Sequence, residues 1–429
     1  MKISVIGAGY VGLCTGLGFA KKGHSVIFHD VSRDVVERIN RMEPAFYEPM
    51  VEDALKEAVA KRLAEASEDL DYAVSNSEIT FICVPTPPKS DGSIDVAYIR
   101  EASAALGKAL SKKKGYHLVV MKSTVLPETT ERIALPALEK NSNKVCGRDF
   151  GLCMNPEFLR EGSALEDFLR PDRIVIGSFD QRSGDFLEGF YKGFGCPILR
   201  TSIKTAEMIK YVSNAFLATK ISFSNEIGNA CKKMGIDVYD VMKGVGMDKR
   251  ISPHFLNAGI GFGGSCFPKD VSALISKSRD VDAQPLIMES VMEINREQPF
   301  KLIELLKKKG PIRGKSVSVL GLAFKADTDD IREAPSLRIV ERLMQEGCEV
   351  RVYDPKAMGK FREKFPQISY FHSSRDCLKG SDVCIILTEW SEFRDLGEND
   401  FNLMRNKVII EGRKVLNPSK VRGFEGICW

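Results

Sequence analysis

Apolar residues fall into short clustered runs in the first and last thirds of the chain and into a helical period between them. Ile3 to Ile6 is a short apolar run, GAGYVG (Gly7 to Gly12) follows as a glycine turn, and the next segment reads as helix up to Gly23. SVIFHD then predicts a second strand ending at Asp30. ITFICVPTP (79–87), HLVVMKST (117–124), FGLCMNPE (150–157) and IVIGS (174–178) repeat the pattern, with polar or proline-rich loops after them. Short β-rich runs separated by helical stretches predict a parallel sheet covered by helices.

The middle differs. Lys204 to Met234 contains no proline and one glycine, Gly228, with apolar residues at helical spacing at Ile209, Val212, Phe216 and Ile221. One helix of that length would be about 45 Å long, suited to a spine between domains or a dimer core. Ala283 to Lys309 predicts another helix, interrupted at Pro299. After Gly314 the first rhythm restarts. KSVSVLGLAF (315–324) reads as strand and turn, SLRIVERLMQEG (336–347) as helix, and EVRVYD (349–354) as a strand ending in Asp354. SDVCIILTEW (381–390) and KVIIEG (407–412) are further strands. The expected architecture is α/β: two Rossmann-like doubly wound parallel-sheet domains, 1–198 and 306–429, joined through a long central helix in an all-α segment, 199–305.

Composition narrows the class without naming a reaction. A chain of 429 residues is too long for one core. Its 62 Lys and Arg against 58 Asp and Glu leave a net charge of +4, which argues for neither a nucleic-acid nor a membrane partner. No run of 18 apolar residues occurs, and no signal peptide or spanning helix is expected. The 11 cysteines are scattered, with no CxxC pair, which argues against a zinc site and a disulfide framework and points to the cytoplasm. No metal is expected.

GAGYVG matches G-x-G-x-x-G through Gly7, Gly9 and Gly12, between a strand and a helix, with Asp30 at the end of the next strand. Such glycines let backbone amides approach a pyrophosphate, and the acid can bond a ribose hydroxyl. An acid there favours NAD over NADP, and Arg33 weakens that preference without reversing it. A merely structural strand–helix turn would leave Asp30 without a role. The second α/β unit has only Gly321 at the matching turn, and GLAFKADTDDIRE brings Lys325 and Arg332 beside a strand end. An anionic substrate such as a nucleotide sugar fits better there than a second NAD, although solvated surface charges account for the spacing equally well.

Lys210 and Asn214 stand at i and i+4, with Glu207 one turn earlier on the same face. By spacing alone that stripe is more often solvated surface than a site. In NPEFLREG, a helix starting at Pro156 would place Glu157 and Glu161 on one face toward a cleft; acidic capping of a first turn is the equal alternative. GFGGSCFPKD presents Cys266 just before a helix whose first turn holds Pro268, with Lys269 adding positive charge. Gly263 and Gly264 remove side chains that would block a substrate. Cys14, Cys83, Cys153 and Cys384 lie in core-like runs, whereas Cys266 does not, so the favoured reading is a nucleophile rather than a buried thiol. A thiol beside a nicotinamide suits oxidation of an aldehyde through a thiohemiacetal to a thioester, which water then cleaves to an acid.

The chain resembles the UDP-glucose/GDP-mannose dehydrogenases over essentially its whole length. The motifs, in order, are GAGYVG, VPTPPKSDGSID, KSTV, NPEFLREGSA, AEMIKYVSNAFLATKISFSNE, KRISPHFLNAGIGFGGSCFPKD, GLAFKADTDDIREAPS and EGRKVLNP. The resemblance implies a four-electron oxidation of the C6 hydroxyl of a nucleotide-linked hexose to carboxylate, with two NAD⁺ consumed. It makes Cys266 the thioester-forming nucleophile, with Lys210 and Asn214 stabilising the oxyanion. Asp270 would help water or proton transfer, and Thr124 and Glu161 would order a water beside the nicotinamide. For NAD it implies the fingerprint residues Gly7, Gly9, Tyr10, Val11 and Gly12, together with Asp30, Arg33, Thr86, Thr124, Glu161, Lys269 and Arg332. For the UDP-sugar it implies Glu157, Phe158, Leu159, Arg160, Lys210 and Asn214. The same side takes Phe255, Leu256, Asn257, Ala258, Gly259, Gly263, Lys325 and Arg413. Arg250 looks like an arginine that reaches a neighbouring subunit's site, implying a homodimer or higher homo-oligomer.

Two departures stand out. The YEPG of many relatives is YEPM here (Tyr47 to Met50), and Val35 occupies a place often basic, with Arg33 the substitute. GDP-mannose and UDP-N-acetylmannosamine are the rival sugars; KRISPHFLNAGIGFGGSCFPKD and AFLATKISF look more like the UDP-glucose branch. A non-catalytic NAD-binding scaffold is the reading from another class, and Cys266, Lys210 and Asp270 together argue against it.

Overall fold

Every apolar run singled out at the N-terminal end becomes a strand in the computed structural model, which describes residues 1–429. The first sheet contains β1 (Lys2–Ile6), β2 (Ser25–His29), β3 (Ala64–Ser67), β4 (Ile79–Ile82), β5 (Leu118–Met121), β6 (Gly151–Met154), β7 (Ile174–Ser178) and β8 (Ile198–Thr201). Their order is β3-β2-β1-β4-β5-β6-β7-β8. Ile3, Val5, Ile79, Phe81, Leu118 and Val120 are wholly buried, the near-continuous apolar pattern of strands covered on both faces. Pairing of Ile6 with His29 brings Gly7 and Asp30 to the carboxyl ends of adjacent strands. The sheet is not purely parallel as predicted: β7 runs antiparallel to β6 through Cys153 and Ser178. The link between them is a loop and the short helix Ala164–Leu169, and it returns the chain beside β6 in the opposite direction.

The chain divides into two compact units, Met1–Ser213 and Asn214–Trp429. The second unit's sheet contains β9 (Ser316–Leu320), β10 (Glu349–Tyr353), β11 (Ser369–Tyr370), β12 (Val383–Ile386), β13 (Val408–Glu411) and β14 (Phe424–Gly426). Its order, β11-β10-β9-β12-β13-β14, repeats that of the first six strands of the other sheet, and every pair is parallel. Val238, Leu256, Ile260 and Leu302 join the sheet residues Val317, Val319 and Ile385 in one core, so the helical part of this unit packs on its sheet.

The long helix runs from Ile203 to Met234, 32 residues, as its unbroken periodicity predicts. Helix Leu286–Lys308 is also unbroken, with Pro299 inside it, where an interruption was expected. Pro299 is buried, and packing along the whole helix outweighs the roughly 3 kcal/mol that an internal proline costs. No helix is long and apolar enough to cross a membrane.

Candidate active site

The glycine turn is built by close approach. Gly7 has φ +87° and donates its N–H to the His29 carbonyl at 2.8 Å. A Cβ on Gly12 would lie 1.8 Å from the Gly7 carbonyl oxygen, so only glycine lets α1 (Tyr10–Lys21) start so near β1. Beside Gly9, by contrast, nothing lies within 4 Å of where a Cβ would be. No side chain caps α1 at Gly9, so the positive end of its dipole is left for a ligand's anion. Asp30 accepts the Ala8 N–H at 2.8 Å and the Ser32 N–H at 2.9 Å. It is only partly buried, and a carboxylate has lone pairs left over for ribose hydroxyls. Open space, an uncapped helix start and this acid together fit NAD. Arg33 is largely exposed and paired with Glu37 at 2.8 Å, while Val35 packs against the core.

Around this turn the structure adds a residue the sequence reading passed over. Tyr10 donates its hydroxyl to Glu48 Oε2 at 2.6 Å, and burial, with Cys14 and Glu48, pushes its phenol well above the usual range. Glu48 also accepts the N–H groups of Gly162 and Ala164, at 2.7 and 2.8 Å. Glu161 acts electrostatically on both Tyr10 and Cys14, which sets it beside the glycine turn. Thr86 donates its hydroxyl to the Thr124 carbonyl at 3.0 Å, tying the loops after β4 and β5 together.

Glu157 and Glu161 do not share a helical face. Residues 155–160 form no helix despite Pro156, and the next helix begins at Ala164. Glu157 folds back to accept the Leu159 N–H at 2.6 Å, a side-chain bond that competes with helix formation. Its other oxygen lies 2.8 Å from the Lys210 ammonium, and both side chains are at most 5% exposed. The Lys210 ammonium also stands 5.5 Å over the Phe158 ring. Arg160 instead turns outward onto Asp167.

Glu207, Lys210 and Asn214 are all buried, so the solvated-stripe reading fails. Glu207 accepts the Glu128 and Thr130 N–H groups at 2.7 and 2.9 Å, fastening the long helix to the segment after Thr124. Burial pushes its carboxyl up to about 7, against the pull of those bonds.

In the second unit, Cys266 is the N-cap of helix Phe267–Arg279, whose first turn contains Pro268. Its thiol is partly exposed, 3.6 Å from the Ser265 hydroxyl. Asp270 is buried and accepts from Asn214 Nδ2 at 2.6 Å and from Lys269 Nζ at 2.5 Å. Lys269 therefore brings no unopposed charge to the thiol, contrary to the expectation.

The bare loop serves packing more than access. A Cβ on Gly263 would lie 2.4 Å from the Glu333 carbonyl oxygen, and one on Gly264 would lie 2.8 Å from the Phe324 ring. Gly264 also donates to the Arg332 carbonyl at 2.8 Å. Arg413 donates to the Gly261 carbonyl at 2.5 Å, and a Cβ on Gly259 would meet that same guanidinium at 2.8 Å.

The remaining residues, all substrate-side except Arg332 on the NAD side, divide by exposure. Leu256, Ala258 and Gly259 are buried, Phe255 is half-buried at φ +62°, and Asn257 is exposed. Lys325 lies 5.9 Å over the Phe324 ring, and Arg332 forks onto Asp330 with contacts of 2.6 to 3.0 Å. Arg250 is 88% exposed and paired with Asp248.

Three family models cover most of the chain. The NAD binding domain, central domain and UDP binding domain of the UDP-glucose/GDP-mannose dehydrogenase family match residues 1–195, 204–297 and 318–418. A UDP-glucose 6-dehydrogenase of Haloferax volcanii is 39% identical over the full length of both chains. Among solved structures, a UDP-glucose dehydrogenase from Pyrobaculum islandicum is 42% identical with TM-score 0.94, over 100% of this chain and 98% of that one. A UDP-D-ManNAc dehydrogenase from Pyrococcus horikoshii is 30% identical with TM-score 0.86, over 100% and 99%.

Proposed function

The chain belongs to the UDP-glucose/GDP-mannose dehydrogenase family, and on that premise we propose that it oxidises UDP-glucose at C6 to UDP-glucuronate. It is an NAD-dependent oxidoreductase of nucleotide sugars. The observation that carries the fuller reading is Cys266 at the head of its helix, with the buried Asp270–Asn214 pair one turn further on. The Gly7–Gly12 turn and Asp30 would hold NAD⁺, which would supply a hydride acceptor for each of the two oxidations.

The rest is assigned to this chain's own groups. Glu157, 2.8 Å from the Lys210 ammonium, receives the hydroxyl proton as the alcohol becomes an aldehyde. The Cys266 thiolate adds to the aldehyde carbon, forming a C–S bond and an oxyanion that Lys210 and Asn214 stabilise with hydrogen bonds. Loss of the second hydride from that carbon leaves a thioester on Cys266. Water, ordered by Thr124 and Glu161 and deprotonated with help from Asp270, breaks the C–S bond. The products are the carboxylate and the regenerated thiolate. One alcohol, two NAD⁺ and one water thus give one carboxylate, two NADH and three protons.

The test is NADH formed per UDP-glucose consumed, with GDP-mannose and UDP-N-acetylmannosamine in parallel. Two NADH per UDP-glucose are expected, and Cys266→Ser should stall, since an oxygen ester is cleaved poorly. One NADH per sugar, or an indifferent Cys266→Ala, overturns the thioester route. Turnover only of another sugar overturns the substrate.

The same reading makes the protein a cytoplasmic homodimer or higher homo-oligomer, self-associating through 199–305. Met208, Val212, Phe216 and Phe223 line the long helix at helical spacing, each 40 to 64% exposed, an apolar stripe too regular for open solvent. Eleven free thiols suit a reducing compartment. Mass photometry should show a dimer or larger species that Phe216→Glu reduces to monomer; a monomeric parent protein would refute the assembly.

A further inference from the structure

One buried cation has no part in the chemistry above. Lys122 directly follows β5, and its side chain is 5% exposed. Its ammonium donates to Asn155 Oδ1 at 2.8 Å and lies 3.5 Å from the Pro156 carbonyl oxygen. Asn155 is itself clamped. The same Oδ1 accepts the Tyr191 hydroxyl at 2.6 Å, its Nδ2 donates to the Val175 carbonyl at 2.8 Å, and its N–H donates to the Met121 carbonyl at 2.9 Å. The next residue after this clamp and Pro156 is Glu157, whose carboxylate meets Lys210.

A lysine with no carboxylate in direct contact is expensive to bury. A neutral side chain of the same length would fill the space more cheaply, so the charge itself calls for a role. We propose that Lys122 is a positioning residue for Glu157: it pins the Asn155–Pro156 segment from which Glu157 projects and adds a second buried positive charge to the Glu157–Lys210 pair. The proposal rests on the reading of Glu157 as the proton acceptor of the site.

The groups that act on the Lys122 ammonium come from three other elements. Burial is the largest influence and lowers it; Cys83, after β4, and Glu157, after β6, raise it, and Lys210, on the long helix, lowers it. The balance brings it down to about 8, so Lys122 changes charge near the alkaline end of ordinary assay conditions. The coupling to both members of the ion pair gives the arrangement its function. While Lys122 is protonated, its charge adds to that of Lys210 in acting on Glu157. Once Lys122 is neutral, Asn155 is still bonded but the extra charge is gone.

The sign for stability is the reverse. A lysine held below its unfolded value of 10.5 penalises the folded state below pH 8, and the penalty fades as pH rises toward 10.5. Lys122→Met should therefore fold, with a Tm at pH 7 no lower than that of the parent protein; the Tyr191 hydroxyl keeps Asn155 Oδ1 satisfied.

Two measurements test the proposal. In the first, kcat for NADH production is followed from pH 6 to 10 for the parent protein, Lys122→Met and Lys122→Gln. Expected are a kcat lowered about 10- to 100-fold, a KM for UDP-glucose within about 2-fold, and loss of an alkaline limb near pH 8. The second needs no turnover: lysine side-chain NMR of the substrate-free protein, with Lys122→Met identifying the resonance. A lysine titrating near pH 8 should move to lower pH in Glu157→Gln and to higher pH in Lys210→Met.

Unchanged kcat and pH profile in the folded Lys122 variants overturn the proposal, as does a Lys122 titration indifferent to Glu157→Gln. Failure of both Lys122 variants to fold makes the residue purely structural, which overturns it equally. An enzyme inactive on UDP-glucose whose Lys122 still responds to Glu157→Gln would refute the substrate while supporting the coupling.

Discussion

The two sheets share the strand order 3-2-1-4-5-6 in their first six strands, and their first turns begin alike. Gly7 and Gly321 have φ of +87° and +93°, and each donates its N–H at 2.8 Å to the carbonyl ending the next strand, His29 or Tyr353. Asp30 and Asp354 follow those carbonyls directly. There the likeness ends. Asp30 takes two backbone N–H groups and remains partly exposed. Asp354 is wholly buried and takes four backbone N–H groups, from Leu322, Ala323, Lys356 and Ala357, plus the Trp390 indole at 3.0 Å. After Gly7 a helix begins at Tyr10; after Gly321 none begins until Pro335. One acid leaves lone pairs and exposed surface for a ligand, and the other is consumed by its own fold. The same topology with the same residue type therefore decides nothing about binding; the count of internal donors does.

Substitution of the two aspartates should give opposite results. Asp354→Asn turns an amide NH₂ toward donors that need an acceptor, and should cost about 3 kcal/mol, a Tm drop of roughly 6–10 °C. Asp30→Ala should leave Tm nearly unchanged and raise the KM for NAD about 10- to 100-fold, the worth of hydrogen bonds to a charged group. Thermal melts and NAD titrations of both variants check the contrast. It breaks if Asp354→Asn melts like the parent protein, or if Asp30→Ala loses stability while keeping its NAD affinity.

What could be read in advance followed the same division. The long helix, the turn at Gly7 and most central strands declared themselves, because burial on one face or both leaves a period in the sequence. The edge strands did not. β3 is AEAS and β14 is FEG, short segments whose pairing comes from the neighbouring strand rather than from apolar character. The antiparallel turn into β7 depends on what the preceding loop does, not on IVIGS itself.

Side-chain partners were the harder part. Spacing put Glu207, Lys210 and Asn214 on one face, but their partners Thr130, Glu157 and Asp270 lie far away in the chain, so charge alone suggested solvent. The glycines of GFGGSCFPKD suggested access for a substrate, when Glu333 and Phe324 fill the space. Lys122 did leave a signal: a lysine at the end of the apolar run HLVVM has to be paid for somewhere.

The smallest effect concerns backbone strain in each unit. At YEPM Met50 holds φ +67° as the N-cap of helix Val51–Ala60. Asp327 holds φ +62° in the loop after β9. A left-handed conformation costs an unbranched residue such as methionine roughly 1–2 kcal/mol, and less for aspartate, whose short polar side chain can hydrogen-bond locally. Glycine removes that cost but adds about 0.5–1 kcal/mol of unfolded-chain entropy. Met50 is 49% exposed, so little burial is lost with its side chain. Met50→Gly should therefore stabilise the protein by about 0.5–1 kcal/mol, raising Tm by roughly 1–3 °C, whereas Asp327→Gly should be near neutral. Equal shifts for the two variants, or a lower Tm for Met50→Gly, would mean that the methionine makes contacts that outweigh the strain of its turn.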